Sequence, residues 1–172
     1  MLTEKSHIKE GQRLKVSYYH TQTVYDGSVC CCLTHDDVFR YFEEMVKPHL
    51  TDDIQYLGEV PHEHKLELLA GARALLFPIR WNEPFGMVMI EALACGTPVL
   101  AFPEGAAPEV VDDGRTGFLC HDETDMAQAI GRVDTLSRAD CRAAVAGYFS
   151  TDRMVAEHIA LFEDVVAGRH PR

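Results

Sequence analysis

Glu83 and Glu91 bracket the part of this chain best equipped for chemistry. They stand in RWNEPFGMVMIEALACG, residues 80–96, the first just ahead of Pro84-Phe85-Gly86 and the second inside the apolar run Met87–Cys95. A carboxylate within an otherwise buried helix is costly unless a partner faces it. That partner belongs either to the protein or to a ligand. In the ligand reading, the backbone N–H groups of Phe85, Gly86, Met87 and Val88 open a helix and lack intrahelical acceptors. Together with the positive end of the helix dipole they suit a phosphate, and Gly86 lets an anion come close to the backbone. Glu83 in the preceding loop and Glu91, about a turn and a half into the helix, reach hydroxyl groups on either side. Two such carboxylates about an anion site describe a nucleotide sugar, with the sugar and the ribose at its ends and the diphosphate between. In the structural reading, Glu91 pairs with Arg80, Arg115 or another basic residue, and Glu83 caps the helix. The spacing alone leaves both readings open.

Such a site needs a scaffold, and the pattern from residue 53 onward supplies one. Asp53–Val60 alternates like a short strand, and His62–Ala72 carries Leu66, Leu69 and Ala70 at helical spacing. Ala74–Ile79 is nearly all apolar, as a parallel strand covered on both faces would be. The helix holding Glu91 is closed by Gly96 with Pro98 beyond it. Pro98–Phe102 is a second buried strand, Pro108-Glu109 opens a short helix, and Gly114–Leu119 gives a turn and a last strand. Asp125–Leu136, Arg138–Tyr148 and Thr151–Val166 then predict three helices. Strand and helix alternating at this interval predict an α/β fold, a Rossmann-like doubly wound parallel sheet. In such a sheet, ligands bind at the carboxyl ends of the strands, where Arg80–Gly86 falls. Residues 1–38 read as a divergent or incomplete N-terminal segment without a clear element, except that Val29–Leu33 suggests a buried strand. Phe39–Leu50 has the pattern of an amphipathic helix.

Composition narrows the function. With 47% hydrophobic and 25% charged residues, the chain of 172 residues is globular rather than disordered. Its formal charge of −11 argues against a nucleic-acid partner, which wants a basic face. No apolar run approaches the roughly 20 residues that span a bilayer. The start, MLTEKSHIKEGQRLK, lacks a secretory leader's apolar core, so the expected location is cytoplasmic. Cys30, Cys31 and Cys32 are consecutive on a strand and cannot converge on one metal. Cys95, Cys120 and Cys141 are scattered, and the reading is of reduced structural cysteines with no metal site. His62 and His64 are expected to be solvated.

The stretches YLGEV, LLAGARALLFPIRWNEPFGMVMIEALACGTPVLAF, GAAPEVVDDGRTGFL and YFSTDRMVAEHIALFEDVV resemble the C-terminal, donor-binding domain of family-4 (group 1) retaining glycosyltransferases of the GT-B fold. The likeness runs over residues 39–168, within a domain taken as 39–172, and Glu83 and Glu91 reproduce that family's Glu-x7-Glu signature. The resemblance implies a hexosyltransferase whose donor is a nucleotide-diphosphate sugar, with no other cofactor and no metal. It implies that Glu83 contacts the donor sugar as the catalytic carboxylate and that Glu91 holds the ribose. Pro84, Phe85, Gly86, Met87 and Val88 would surround the sugar and diphosphate. Gly105, Ala106 and Ala107 would line the pocket or simply form a tight loop. Glu109 reads as a helix cap. The acceptor, a sugar, a lipid or another small molecule, would enter beside the departing nucleotide. Members of that family carry a separate acceptor domain, for which this chain has no room, so a second chain is expected to supply it. The alternative is a non-catalytic nucleotide-sugar-binding remnant or a partner subunit. The family's diphosphate-holding Arg and Lys have no clear match here; Arg13 and Lys15 are the nearest basic residues before Phe39. The apolar face of Thr151–Val166 would pack on the acceptor domain or, failing that, on this domain's own sheet.

Overall fold

The computed structural model describes residues 14–16, 40–58 and 60–169, which fall into two compact units, Met1–Pro61 and His62–Arg172. Arg13, the segment 17–38 and Cys30, Cys31 and Cys32 lie outside the described residues.

In the first unit, β1 (Leu14–Val16) pairs in parallel with β2 (Ile54–Tyr56), Leu14 opposite Ile54 and Val16 opposite Tyr56. The strand expected over Asp53–Val60 is thus confined to three residues. Of the amphipathic helix expected over Phe39–Leu50, Arg40 and Tyr41 are α-helical; a π-helical turn, Phe42–Val46, follows and runs into a 3-10 turn, Lys47–His49. Pro48 is the reason: it has no N–H to donate, and its ring clashes with the carbonyl four residues back, so a regular α-helical ladder cannot pass it. The N–H of Lys47 instead reaches the Phe42 carbonyl. No side chain of this segment is fully buried, although the Phe42 ring leans on that of Tyr56 at 4.6 Å.

The second unit is the expected α/β layer structure. Its helices and strands alternate as α1 (His62–Gly71), β3 (Leu75–Phe77), α2 (Met87–Ala94), β4 (Val99–Ala101), α3 (Ala107–Val110), β5 (Gly117–Leu119), α4 (Glu123–Arg132), α5 (Arg138–Tyr148) and α6 (Thr151–Val166). The three strands form a parallel sheet in the order β3-β4-β5, with Leu76 opposite Leu100 and Leu100 opposite Phe118. Side chains along β4 alternate between two cores, as strand geometry requires. Val99 and Ala101 face Leu69 of α1, Met89, Ala92 and Leu93 of α2, and Cys141 of α5. Leu100 and Phe102 face Cys120 with Met126, Ala129 and Val133 of the α4 region. The central strand β4, paired on both sides and covered on both faces, meets polar surroundings only at its ends.

Helix starts follow their capping residues. Asp122 accepts from the Asp125 N–H, so α4 begins two residues earlier than the sequence pattern suggests, and it gives way to a 3-10 turn at Val133. Ser137 and Ser150 cap α5 and α6. α6 does not pack its apolar face on the sheet: Met154, Val155, Ile159, Phe162 and Val165 are all exposed.

Cys120 offers a check on the second core. Burial, then the Asp125 carboxylate, push its thiol up from 9.0 to about 11. A group whose folded value lies above its unfolded one adds stability below the unfolded value and loses it as pH rises through the folded one. The melting temperature should therefore fall between about pH 9 and pH 11, and the fall should be shallower in Cys120→Ala.

Candidate functional site

The site lies where β3 and β4 end. Past Phe77 the chain runs through Pro78–Gly86 into α2, and past Ala101 it runs through Phe102–Ala106 into α3. The two loops are clasped together. The N–H of Ala106 donates to the Glu83 carbonyl at 2.8 Å, and the N–H of Glu83 donates to the Trp81 carbonyl at 2.8 Å. Gly105 makes the approach possible. At φ +54° it lies in the left-handed region, and a Cβ placed there would stand 2.4 Å from the Glu83 oxygen and 2.5 Å from the Glu83 nitrogen. Backbone atoms cannot yield as a flexible side chain can.

Glu83 is half-buried, and its Oε1 accepts from the Gly86 N–H at 3.3 Å. Gly86 takes φ +68° and stands just before α2, whose first helical residue is Met87. This corrects one expectation: the Gly86 donor is already met by Glu83, and the first-turn amides open to a ligand are those of Met87 and Val88. Met89 follows by donating back to the Gly86 carbonyl at 2.9 Å. Glu83 therefore does what the structural reading asked of it, while its Oε2 has no partner among the described residues. Around this helix start, Trp81, Phe85 and Met87 are exposed, as is Pro84.

Glu91, the fifth residue of α2, faces α1. Lys65 donates to its Oε1 at 2.5 Å, with the two side chains only 17% and 22% exposed. The Oε2 of Glu91 has no side-chain partner among the described residues. Arg80 and Arg115, the partners weighed from sequence, are engaged elsewhere: Arg80 with Glu123 at 3.1 Å and over the Phe102 ring at 4.2 Å, Arg115 with Asp112 at 3.0 Å. The backbone hydrogen bond at the α4 start, then Arg80, hold the Glu123 carboxyl below its ordinary value.

Sequence reasoning did not name Lys65. The signal was available, because Lys65 lies four residues before buried Leu69 and so shares its helix face. The structure brings Glu83, Gly86 and Gly105 into one loop cluster, with Met87 and Val88 following as the first residues of α2. Ala106 and Ala107 are buried, Ala106 at the end of the loop and Ala107 as the first residue of α3, and Glu109 is an exposed residue of the first turn of α3. Lys15 lies in β1 of the other unit. Among the described residues no cluster of metal-ligating side chains occurs, Cys95, Cys120 and Cys141 are free thiols, and no helix is long and apolar enough to cross a membrane. What remains is two carboxylates, each with a free oxygen, on either side of first-turn amides. That arrangement can hold an anion flanked by hydroxyl groups.

Comparisons with known proteins give the family. Residues 34–146 match the family described as Glycosyl transferases group 1. N-acetyl-alpha-D-glucosaminyl L-malate synthase of Bacillus anthracis is 33% identical over 126 residues, covering 69% of this chain and 32% of that protein. D-inositol 3-phosphate glycosyltransferase of Corynebacterium jeikeium is 39% identical over 82 residues, covering 46% and 19%. Among solved structures, a sucrose-phosphate synthase from Thermosynechococcus elongatus superposes with a TM-score of 0.64 at 29% identity, over 75% of this chain and 34% of that one. The chain thus spans about a third or less of the length of the relatives it matches. The Rossmann-like α/β fold expected from the sequence, that of the GT-B glycosyltransferases, stands.

The clasp predicts an unequal pair of glycine substitutions. Gly105→Ala should lower unfolding free energy in urea by about 1–3 kcal/mol. Gly114→Ala, also at positive φ but with nothing within 4 Å of its Cβ, should cost less.

Proposed function

The chain belongs to the group 1 glycosyl transferases, and we propose that it is the donor-binding half of a retaining, family-4 type enzyme, spanning residues 39–172. It binds a nucleotide-diphosphate sugar. The sugar passes, with its anomeric configuration kept, to a sugar, lipid or other small-molecule acceptor held by an acceptor domain on another chain or segment.

The observation that carries this reading is the pair of half-buried carboxylates flanking the start of α2 at the carboxyl edge of the sheet. In the bound state Glu83 takes hydroxyls of the donor sugar beside the reacting carbon, and Glu91 takes the ribose diol through its free Oε2. The amides of Met87 and Val88, with Pro84, Phe85 and Gly86 around them, receive the diphosphate, and Gly105 keeps the facing loop close. Negative charge on the departing diphosphate is met by these amides, the helix dipole and basic side chains, so no metal is required. Neither glutamate acts as a covalent nucleophile. The acceptor attacks from the side the nucleotide leaves, unlike the paired carboxylates of retaining hydrolases.

The Lys65–Glu91 pair supports a second reading, in which Glu91 answers to an internal partner and the chain is a remnant or a partner subunit. Calorimetric titration with UDP-, GDP- and ADP-sugars separates the two. Saturable binding by one class, weakened by about 1.5–3 kcal/mol in Glu91→Ala, is the expected result. A folded chain that binds none of the three refutes the donor-site reading.

A further inference from the structure

Lys65 and Glu91 stand apart from every other ion pair among the described residues. In each of the others at least one partner is more than half exposed, the condition in which such pairs contribute little. Lys65 and Glu91 are 17% and 22% exposed, and they join two helices, α1 and α2. The lysine is not a loosely held surface chain. Its helix is fixed at the far end, where the buried Thr97 hydroxyl donates to the Leu69 carbonyl at 2.5 Å and Arg138 donates to the carbonyls of Ala70 and Ala72 at 2.6 and 2.8 Å. Leu69, one turn beyond Lys65, is itself part of the core against α2.

The pair also divides the carboxylate. Lys65 meets Oε1 alone, and Oε2 has no side-chain partner among the described residues. A carboxylate offers about four acceptor positions, so one ammonium donor restrains its rotation without exhausting it. Among the described residues no buried side-chain oxygen lacks a hydrogen-bond partner, so Oε2 is open to solvent and therefore to a ligand.

We propose that Lys65 is a positioning residue: it holds Glu91 by Oε1 and so keeps Oε2 directed at the ribose diol of the bound nucleotide. The inference rests on the donor-site reading above and adds a residue to it. It makes Lys65 part of how the site recognises a ribose, through Glu91 and not through contact with the diphosphate.

The test uses UDP, GDP and ADP beside their 2′,3′-dideoxyribose counterparts, titrated into the wild-type chain, Lys65→Met and Lys65→Arg. For the nucleotide that the wild type binds, Lys65→Met should lose about fivefold in affinity, the fold-change that roughly 1 kcal/mol of coupling represents. Affinity for the dideoxy ligand should stay as in the wild type, and Lys65→Arg should restore discrimination between the two. Equal losses for both ligands would overturn the proposal, since they would mean that Lys65 acts as a general charge or a structural prop. Unchanged or tighter binding of the ribose-bearing ligand by Lys65→Met would overturn it too. Those failures are recognisable because the wild type still binds and Glu91→Ala still weakens it. A wild type that binds none of the three fails the donor-site reading and this inference with it. Should Lys65→Met not fold, Lys65→Gln, which keeps most of the stem, gives the same comparison.

Discussion

A single backbone hydrogen bond, from Ala106 to the carbonyl of Glu83, holds the polar end of this sheet in shape. It joins the loop after β3 to the loop after β4, and only a residue without a Cβ fits at Gly105, between them. With the Glu83 backbone fixed in this way, its carboxylate falls in reach of the Gly86 amide. Gly86 then turns at positive φ, and α2 starts at Met87. The orientation of α2 in turn decides where Glu91 points. Each step is short-range, and each depends on the one before.

The same dependence runs through the core. Residues Thr97 to Phe102 are buried, and alternate side chains of β4 serve the two layers. A strand enclosed like this cannot expose polar groups along its length, so ligand chemistry is left to its ends. At the opposite end of β4, Thr97 and Arg138 tie down the last turn of α1 with hydrogen bonds to its carbonyls. That anchoring sets the position of Lys65, and through it Glu91. The two ends of the sheet therefore cooperate: one positions the helix that offers the amides, the other the helix that restrains its carboxylate.

Much of this was legible in the sequence because periodicity is a local property. Leu66 and Leu69 marked α1, the apolar runs marked β3 and β4, and Gly96 with Pro98 marked the end of α2; all three fell where the pattern placed them. The π-helical turn at Phe42–Val46 was not legible, since its apolar pattern matched an α-helix and only the geometry imposed by Pro48 distinguished the two. The Glu-x7-Glu pattern pointed to the two candidate carboxylates but not to their partners. Lys65 and Glu91 are 26 residues apart, and Gly105 meets Glu83 from another loop, so neither pairing leaves a trace at fixed spacing. The exposed face of α6 was legible as an apolar stripe, yet its burial depends on what packs there, which a periodic pattern does not state.

The central claim is that the first-turn amides of α2 receive the diphosphate of a nucleotide. Amide chemical shifts of an isotope-labelled chain, followed during titration with UDP, GDP and ADP, test it most directly. The expected result is saturable change centred on Met87 and Val88, with Gly86 and Gly105 following through Glu83 and the clasp. Saturable binding that leaves these amides unmoved, and shifts others far from the strand ends, would contradict it.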